Sequence, residues 1–329
     1  MSRGGDNATV LVAGVPRSGT TWVATLLGAT RDASYLEEPD NHFTYPFAFR
    51  AKRGLVGGFY PALEPGQEAL DYERLWGAAF RLDETWRSGR RALAEGVRRS
   101  LARAAWGSVA NEQIRRALLH PDRDGFALRA ARALAVPERP LRDSRHLIVK
   151  SVLCPLSLEW IAARFPLQVV VVLRDVRNVL SSWIQLGWVG RSGDDMLDSL
   201  DPVIQEHLAG RYRIPPPGHG ASPVVRGTWL LGMLTLALED AARRHPEWHV
   251  VRHEELCRSP HAAFRQLAAT IGLEWTVEAD ELLNELNRSG TGMQRVRVAS
   301  KLPEVWRSRL GPEQARDIAA VLERFPFGA

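Results

Sequence analysis

The chain has 329 residues, which at roughly 150 per domain allows one large domain or two ordinary ones; its 45% hydrophobic and 25% charged content excludes a disordered, collagenous or coiled-coil chain. The two cysteines, Cys154 and Cys257, stand far apart with no CxxC or Cys/His spacing around them, which excludes a disulfide scaffold and a zinc site. The net charge of +5 invites a nucleic-acid partner, but of 43 basic residues only Lys52, Lys150 and Lys301 are lysine, an arginine bias of the kind genome composition sets. The basic stretch Arg81 to Arg103 mixes in Asp83, Glu84 and Glu95 and reads as a solvated helix face, so no nucleic-acid partner is expected; the excess of cations suits an anionic substrate.

The opening MSRGGDNATVLVAG runs from a short apolar stretch, Ala8 to Gly14, straight into a Gly/Ser/Thr turn, which reads as a first strand and not a signal peptide. No stretch approaches ~18 consecutive apolar residues, so a cytoplasmic protein with no membrane span is expected. After the turn Val15 to Gly19 a helical pattern runs from Thr20 to Leu27. Residues 41–145 show no repeat; aromatics among arginine-rich amphipathic stretches predict a mostly helical region with a loop at Pro61 to Gly66. His146 to Lys150 is a second buried strand, followed by a helix through Trp160 to Arg164. Gln168 to Leu173, QVVVVL, is a continuous apolar run of the kind found in a parallel sheet covered on both faces, and a helix follows from Val176 to about Leu186. Residues 187–222 are irregular, with Ile214 to Gly220, IPPPGHG, marking a loop or lid. A helix from about Arg226 to His245, a last strand Trp248 to Arg252, and helices at Pro260 to Ile271 and Pro312 to Phe325 complete the chain.

Strands alternating with helices predict an α/β fold of three layers: a mostly parallel central sheet, a P-loop-like strand-loop-helix and a largely helical insertion. No composition break divides the chain, so residues 1–329 are read as one domain, with 41–145 inserted over the carboxyl edge of the sheet. Ligands of such sheets sit outside the carboxyl ends of the strands.

Gly14-Val-Pro-Arg-Ser-Gly19-Thr20-Thr21 has the GxxxxGK[ST] spacing of a phosphate-binding loop, with Thr20 at the lysine position. That lysine reaches the β- and γ-phosphates of a nucleoside triphosphate, and its loss argues against ATP chemistry. What remains is a nest of backbone N–H groups at a helix N-terminus, Arg17, and the hydroxyls of Ser18, Thr20 and Thr21. This set suits an anion with less charge than a triphosphate and no obligatory metal. A second constellation, Arg174-Asp175-Val176-Arg177 through Ser182-Trp183, directly follows the QVVVVL strand. Arg174 at the strand end and Ser182 two turns into the next helix could reach one phosphate; a helix cap with an ion pair is the bland alternative.

Pro16-Arg-Ser-Gly-Thr-Thr-Trp22 resembles the 5′-phosphosulfate loop of the sulfotransferases that use 3′-phosphoadenosine-5′-phosphosulfate (PAPS), and Leu173-Arg-Asp-Val-Arg-Asn-Val-Leu-Ser-Ser182 resembles their 3′-phosphate motif LRDPRdVLsS, with Val176 where proline is usual. Val251-Arg-His-Glu-Glu-Leu256 followed by Pro260 resembles the family's later VRYEDL strand and turn. The order of the three agrees with the family. The resemblance implies PAPS as co-substrate, no metal, and a donor site of Arg17, Ser18, Gly19, Thr20, Thr21, Trp22, Arg174 and Ser182. It adds Trp229, in a segment like the family's GSW, near the adenine. Late basic residues come to the 3′-phosphate in the family, and Arg295, Arg297, Trp306 and Arg307 stand in that stretch here.

The family's phenol and steroid enzymes carry a KTHxP-like motif; here Lys150-Ser151-Val152 keeps the lysine and puts valine at the histidine position, against a histidine base there. Tyr35-Leu-Glu-Glu-Pro39 resembles instead the YLFEP segment of carbohydrate sulfotransferases, whose glutamate is the proposed base; that residue is Glu38 here. Glu37 could share the role, His42 is a reserve, and Glu38-Pro39 could merely end a strand or cap a helix. A carboxylate beside an anionic donor should have a raised pKa. Arg17 would stabilise the leaving oxygen, and Lys150 would bind the sulfuryl oxygens or form an ion pair. His249 and His253, four apart, lack a third metal ligand. The expected function is transfer of a sulfuryl group to an acceptor hydroxyl, of a carbohydrate, glycolipid or glycosylated small molecule, that enters between the insertion and the lid. A P-loop kinase with a degenerate loop and a non-catalytic nucleotide-binding protein are the alternatives.

Overall fold

In the computed structural model the described residues are 8–82, 89–120, 125–140, 144–189, 200, 202–218, 220–288 and 298–327. The core opens with β1 (Thr9–Gly14), α1 (Thr20–Leu27) and β2 (Ala33–Glu37). Five helices of the insertion follow: α2 (Pro46–Lys52), α3 (Leu70–Ala79), α4 (Gly89–Trp106), α5 (Asn111–Leu119) and α6 (Phe126–Leu134). The core resumes with β3 (His146–Ser151), α7 (Leu158–Arg164), β4 (Gln168–Leu173) and α8 (Val176–Gln185). Then come α9 (Pro202–Tyr212), α10 (Pro223–Arg244), β5 (His249–Arg252), α11 (His253–Arg258), α12 (Pro260–Thr270), α13 (Val277–Leu286), α14 (Trp306–Arg309) and α15 (Pro312–Leu322).

The strands form one sheet in the order β2-β3-β1-β4-β5, and all four pairings are parallel. Each strand alternates its side chains between two faces. Val10, Val12, Ile148, Val170 and Val172 pack under α1, α12 and α13. Leu11, Ala13, Val149, Val169 and Val171 pack on the opposite face among α8, α10 and α15. That accounts for strands that are apolar at every position, since both faces are covered. Each such valine or leucine contributes about 1.5–3 kcal/mol by burial. Phe47, Trp76 and Trp106 of the insertion belong to the same apolar cluster as Val149 and Val171.

The parallel register aligns the carboxyl ends. Glu37 stands beside Lys150, Gly14 beside Val172 and Leu173 beside Arg252. Residues that follow those ends therefore meet along one edge, with the crevice between β1 and β4 at the point where the strand order reverses.

The structure adds elements that the sequence reading does not contain. β2 is a five-residue edge strand, ASYLE, half-buried throughout, too short and too polar for an apolar run to announce it. α9 interrupts the stretch expected to be irregular; its buried face is only Ile204 and Leu208, one turn apart. The last strand ends at Arg252, as read, and His253 begins the unexpected helix α11, so His249 and His253 do not share a strand. α13 follows Thr276, whose side chain accepts the Ala279 amide in an N-cap. The described part of the expected lid is fastened: Trp229 Nε1 donates to the Ile214 carbonyl at 3.2 Å and Arg324 to the Pro215 carbonyl at 2.8 Å. Among the described residues no helix is long and apolar enough to cross a membrane.

Candidate functional site

The loop after β1 is built for close approach. A Cβ on Gly14 would lie 2.8 Å from the Val172 carbonyl oxygen, and Gly19, at φ +101, leaves no room for one against the His253 imidazole. Arg17 adopts φ 73, a left-handed conformation that costs a non-glycine residue about 1–3 kcal/mol and persists only where its surroundings hold it. Three bonds do so. Arg174 donates to the Arg17 carbonyl at 2.9 Å, Arg17 Nε donates to Ser182 Oγ at 3.0 Å, and Trp183 Nε1 donates to the Pro16 carbonyl at 3.0 Å. The loop after β1 and the first turns after β4 thus form one unit.

This unit carries the signs of an anion site. Ser18 Oγ and Arg174 Nε are buried with no hydrogen-bond partner. Burial pushes the Arg174 guanidinium down to about 10, and nearby Arg17 and Arg309 press in the same direction against Glu254 and Cys257. It stays cationic at neutral pH, and an anion would relieve both the burial and the repulsion. Thr20 is buried at the first position of α1 and Thr21 is half-buried beside it, with the helix N-terminus behind them. These residues fit the phosphate and sulfate oxygens of a nucleotide donor.

The cap and the ion pair offered as the bland reading of RDxR are also present, on other residues of the motif. Asp175 caps α8 through the Arg177 amide at 2.8 Å and holds the Arg177 side chain at 2.9 Å, which leaves Arg174 to the loop.

Several expected donor residues lie elsewhere. Trp229 is fully buried with its indole on Ile214, so it has no face for an adenine; it is a core residue. Arg307 is exposed, paired with Glu304 and set over the Trp306 ring at 4.6 Å. Arg309 is the late basic residue near Arg174. Two positions apart on a helix means nearly opposite faces, and nothing local says which face docks. The docking comes from Asn178, which donates to the Pro303 carbonyl at 2.8 Å and accepts the Trp306 amide at 3.2 Å. Trp22 packs its half-buried ring on Phe264 at 4.8 Å and edge-on to His253 at 5.9 Å. Arg295 and Arg297 lie outside the described residues.

His253, where the resembling motif has tyrosine, is the floor under Gly19. Burial, reinforced by Arg174, holds it neutral, well below its ordinary value. Among the described residues no group of three or more His, Cys, Asp or Glu converges as a metal site.

The second half of the edge lies after β2 and β3. Glu38, at φ 44, follows β2, and its amide donates to the Lys150 carbonyl at 2.8 Å. Its carboxylate is paired with the Lys150 ammonium through Oε1 and accepts from Asn41 Nδ2 through Oε2 at 2.7 Å. Glu37 Oε1 is 3.7 Å from the same ammonium. Lys150 is almost wholly buried. His42 is fully buried between Phe43 and Phe59, with ring centroids 4.3 and 4.4 Å away, and burial holds it well below its ordinary pKa. A residue so enclosed cannot reach an acceptor, so the reserve base is set aside.

Asp40 and Lys52, which no sequence pattern singled out, complete this half. Both are fully buried, 3.6 Å apart, and Asp40 also accepts from Ser151 Oγ at 2.8 Å. The only sequence signal was the rarity of lysine.

Residues 9–215 match the Sulfotransferase family. Among solved structures, the sulfotransferase domain from the curacin biosynthetic pathway is similar at 14% identity and TM-score 0.45, with 96% of this chain and 97% of that chain covered. A sulfotransferase from Mycobacterium tuberculosis H37Rv is similar at 15% identity and TM-score 0.42, covering 98% and 77%. Retinol dehydratase, solved with androsterone and the inactive cofactor PAP, is similar at 15% identity and TM-score 0.38, covering 97% and 80%. No curated protein sequence matches this chain.

Proposed function

This chain belongs to the sulfotransferase family, and from that premise we propose that it moves the sulfuryl group of PAPS to an acceptor hydroxyl. The observation that carries the proposal is the joined edge: Arg174 on the Arg17 carbonyl and Arg17 on Ser182, beside the Glu38 and Lys150 pair at the neighbouring strand ends. The donor supplies an electrophilic sulfur and a bisphosphate leaving group. Arg174, Ser182, Ser18, Thr20 and Thr21 hold its phosphates. Arg17 and the loop amides stabilise charge on the bridging oxygen as the S–O bond breaks. Glu38 takes the acceptor's proton while the acceptor oxygen bonds to sulfur; each of its oxygens keeps a lone pair after the bonds to Lys150 and Asn41. Lys150 neutralises the sulfuryl oxygens. No step calls on a metal.

The acceptor is assigned to carbohydrates, glycolipids or glycosylated small molecules. The YLEEP likeness supports this, and so do the partly buried aromatic rings of Phe43 and Tyr45 a few residues after Glu38, of the kind that stack on a sugar face or scaffold. In this reading residues 1–329 form one domain whose insertion, 41–145, and residues 187–222 shape the acceptor side. The test is transfer of radiolabelled sulfate from PAPS to panels of glycosides, phenols and sterols, with Glu38→Gln as control. Label on glycosides that disappears in the variant is expected. Label on phenols alone would overturn the acceptor class, and transfer undiminished in the variant would remove Glu38 as base.

A further inference from the structure

Of 43 basic side chains only three are lysine. Two of them, Lys52 and Lys150, are buried at the same place, while Lys301 is exposed. Arginine stands at nearly every other basic position, so lysine marks where a compact ammonium is needed instead of a planar fork. Lys52 Nζ donates to the Phe59 carbonyl at 3.1 Å and faces Asp40 at 3.6 Å with no access to solvent. Asp40 is tied to Ser151, the residue after Lys150. Two braces therefore join the turn after β2 to the end of β3: the Glu38 amide on the Lys150 carbonyl, and Asp40 on Ser151.

The charges in this cluster are finely set. Three carboxylates, Glu37, Glu38 and Asp40, meet two ammonium groups. His42 and Cys154 add no charge: burial holds His42 neutral, and burial together with Asp40 pushes the Cys154 thiol up to about 12. Without Lys52, Asp40 would be a buried carboxylate with no paired cation, held on Ser151, the residue next to Lys150, whose ammonium Glu38 uses. Glu38 itself sits in a left-handed backbone, a conformation that lasts only where several contacts fix it.

We infer that the buried Lys52–Asp40 pair is the positioning element of the Glu38–Lys150 pair, setting the turn that presents Glu38 and keeping the Lys150 ammonium on that carboxylate. This rests on the reading of Glu38 as the base. Lys52 and Asp40 touch no reacting atom and act through the turn.

Three lysines make the test simple. Selective 13Cε,15Nζ-lysine labelling gives three signals, assigned by Lys→Met and Lys→Arg variants, with exposed Lys301 as internal reference. In the wild type the Lys150 ammonium protons are expected to exchange slowly and to resonate away from those of Lys301. In Asp40→Asn/Lys52→Met, where a neutral pair replaces the ionic one and the fold is kept, the Lys150 signal moves towards that of Lys301 and its ammonium protons are lost to fast exchange. Ser151→Ala, which keeps both charges and cuts only the brace, shifts the Lys150 signal in the same direction by less. A Lys150 signal unmoved in a folded double variant, or unmoved in Ser151→Ala should the double variant not fold, overturns the inference. Thermal stabilisation by adenosine 3′,5′-bisphosphate is read on the same samples and is expected to persist in the variants. Its absence from the wild type would overturn the sulfotransferase reading itself, a failure distinct from that of the lysine pair.

Discussion

The two halves of the site solve opposite electrostatic problems. At the edge between β1 and β4, cations crowd together: Arg17 and Arg309 press on Arg174 against the pull of Glu254, and buried polar atoms of Ser18 and Arg174 lack partners. At the edge between β2 and β3, three carboxylates, Glu37, Glu38 and Asp40, meet the two buried ammonium groups of Lys150 and Lys52. Crowded cations with unpartnered buried atoms suit an anion; carboxylates held by buried ammonium groups suit a proton acceptor. In the proposed reading binding belongs to the first half and proton transfer to the second, so substitutions in the two should separate cleanly.

The largest expected effect is on the second half. Glu38→Gln should lower transfer by about 10²–10⁴-fold, the usual contribution of a general base, while bisphosphate affinity by calorimetry stays within about twofold. Loss of both together would merge the two halves. Arg174→Ala is the converse: a charged hydrogen-bonding group is worth about 1.5–3 kcal/mol, so bisphosphate should bind about 10- to 100-fold more weakly. Affinity retained would move the anion site off this edge.

Next is the frame of the loop. Gly19→Ala forces a Cβ into a left-handed position against His253, and overpacking of this kind costs about 1–3 kcal/mol, read as a lower denaturant midpoint. The smallest effect is a pH slope. His253 is held neutral in the fold and titrates near 6.5 when unfolded. Its contribution is present above that pH and is lost as pH falls, because the unfolded chain takes up the proton. Between about pH 6.5 and 5.5 the wild type should lose about 1 kcal/mol more stability than His253→Gln. Equal slopes would mean that the imidazole is charged in the fold.

The same contrast explains what could be read from the sequence. Most of the anion edge is drawn from two contiguous stretches, 14–22 and 174–183, each right after a strand whose apolar run is unmistakable, so Arg17, Ser18, Thr20, Thr21, Arg174 and Ser182 are legible in the sequence. The acid–base edge follows a short polar edge strand, Ala33–Glu37, and depends on a turn. Asp40 and Lys52 acquire meaning only when Phe59 and Ser151 close over them. Trp229 failed for a related reason: a tryptophan in an amphipathic helix gives no hint of whether it meets a ligand or the Ile214 carbonyl. Arg309 and Arg307 differ only in which side of α14 docks on Asn178.

Thermal unfolding with adenosine 3′,5′-bisphosphate, adenosine 5′-phosphate and Mg-ATP, each over a concentration series, tests the central claim most directly. At a hundredfold excess over its dissociation constant a bound ligand adds about 2.7 kcal/mol. Stabilisation by the bisphosphate alone, lost in Arg174→Ala and Ser182→Ala, is the expected result. Stabilisation by Mg-ATP alone would contradict the sulfotransferase assignment and place a kinase on this loop.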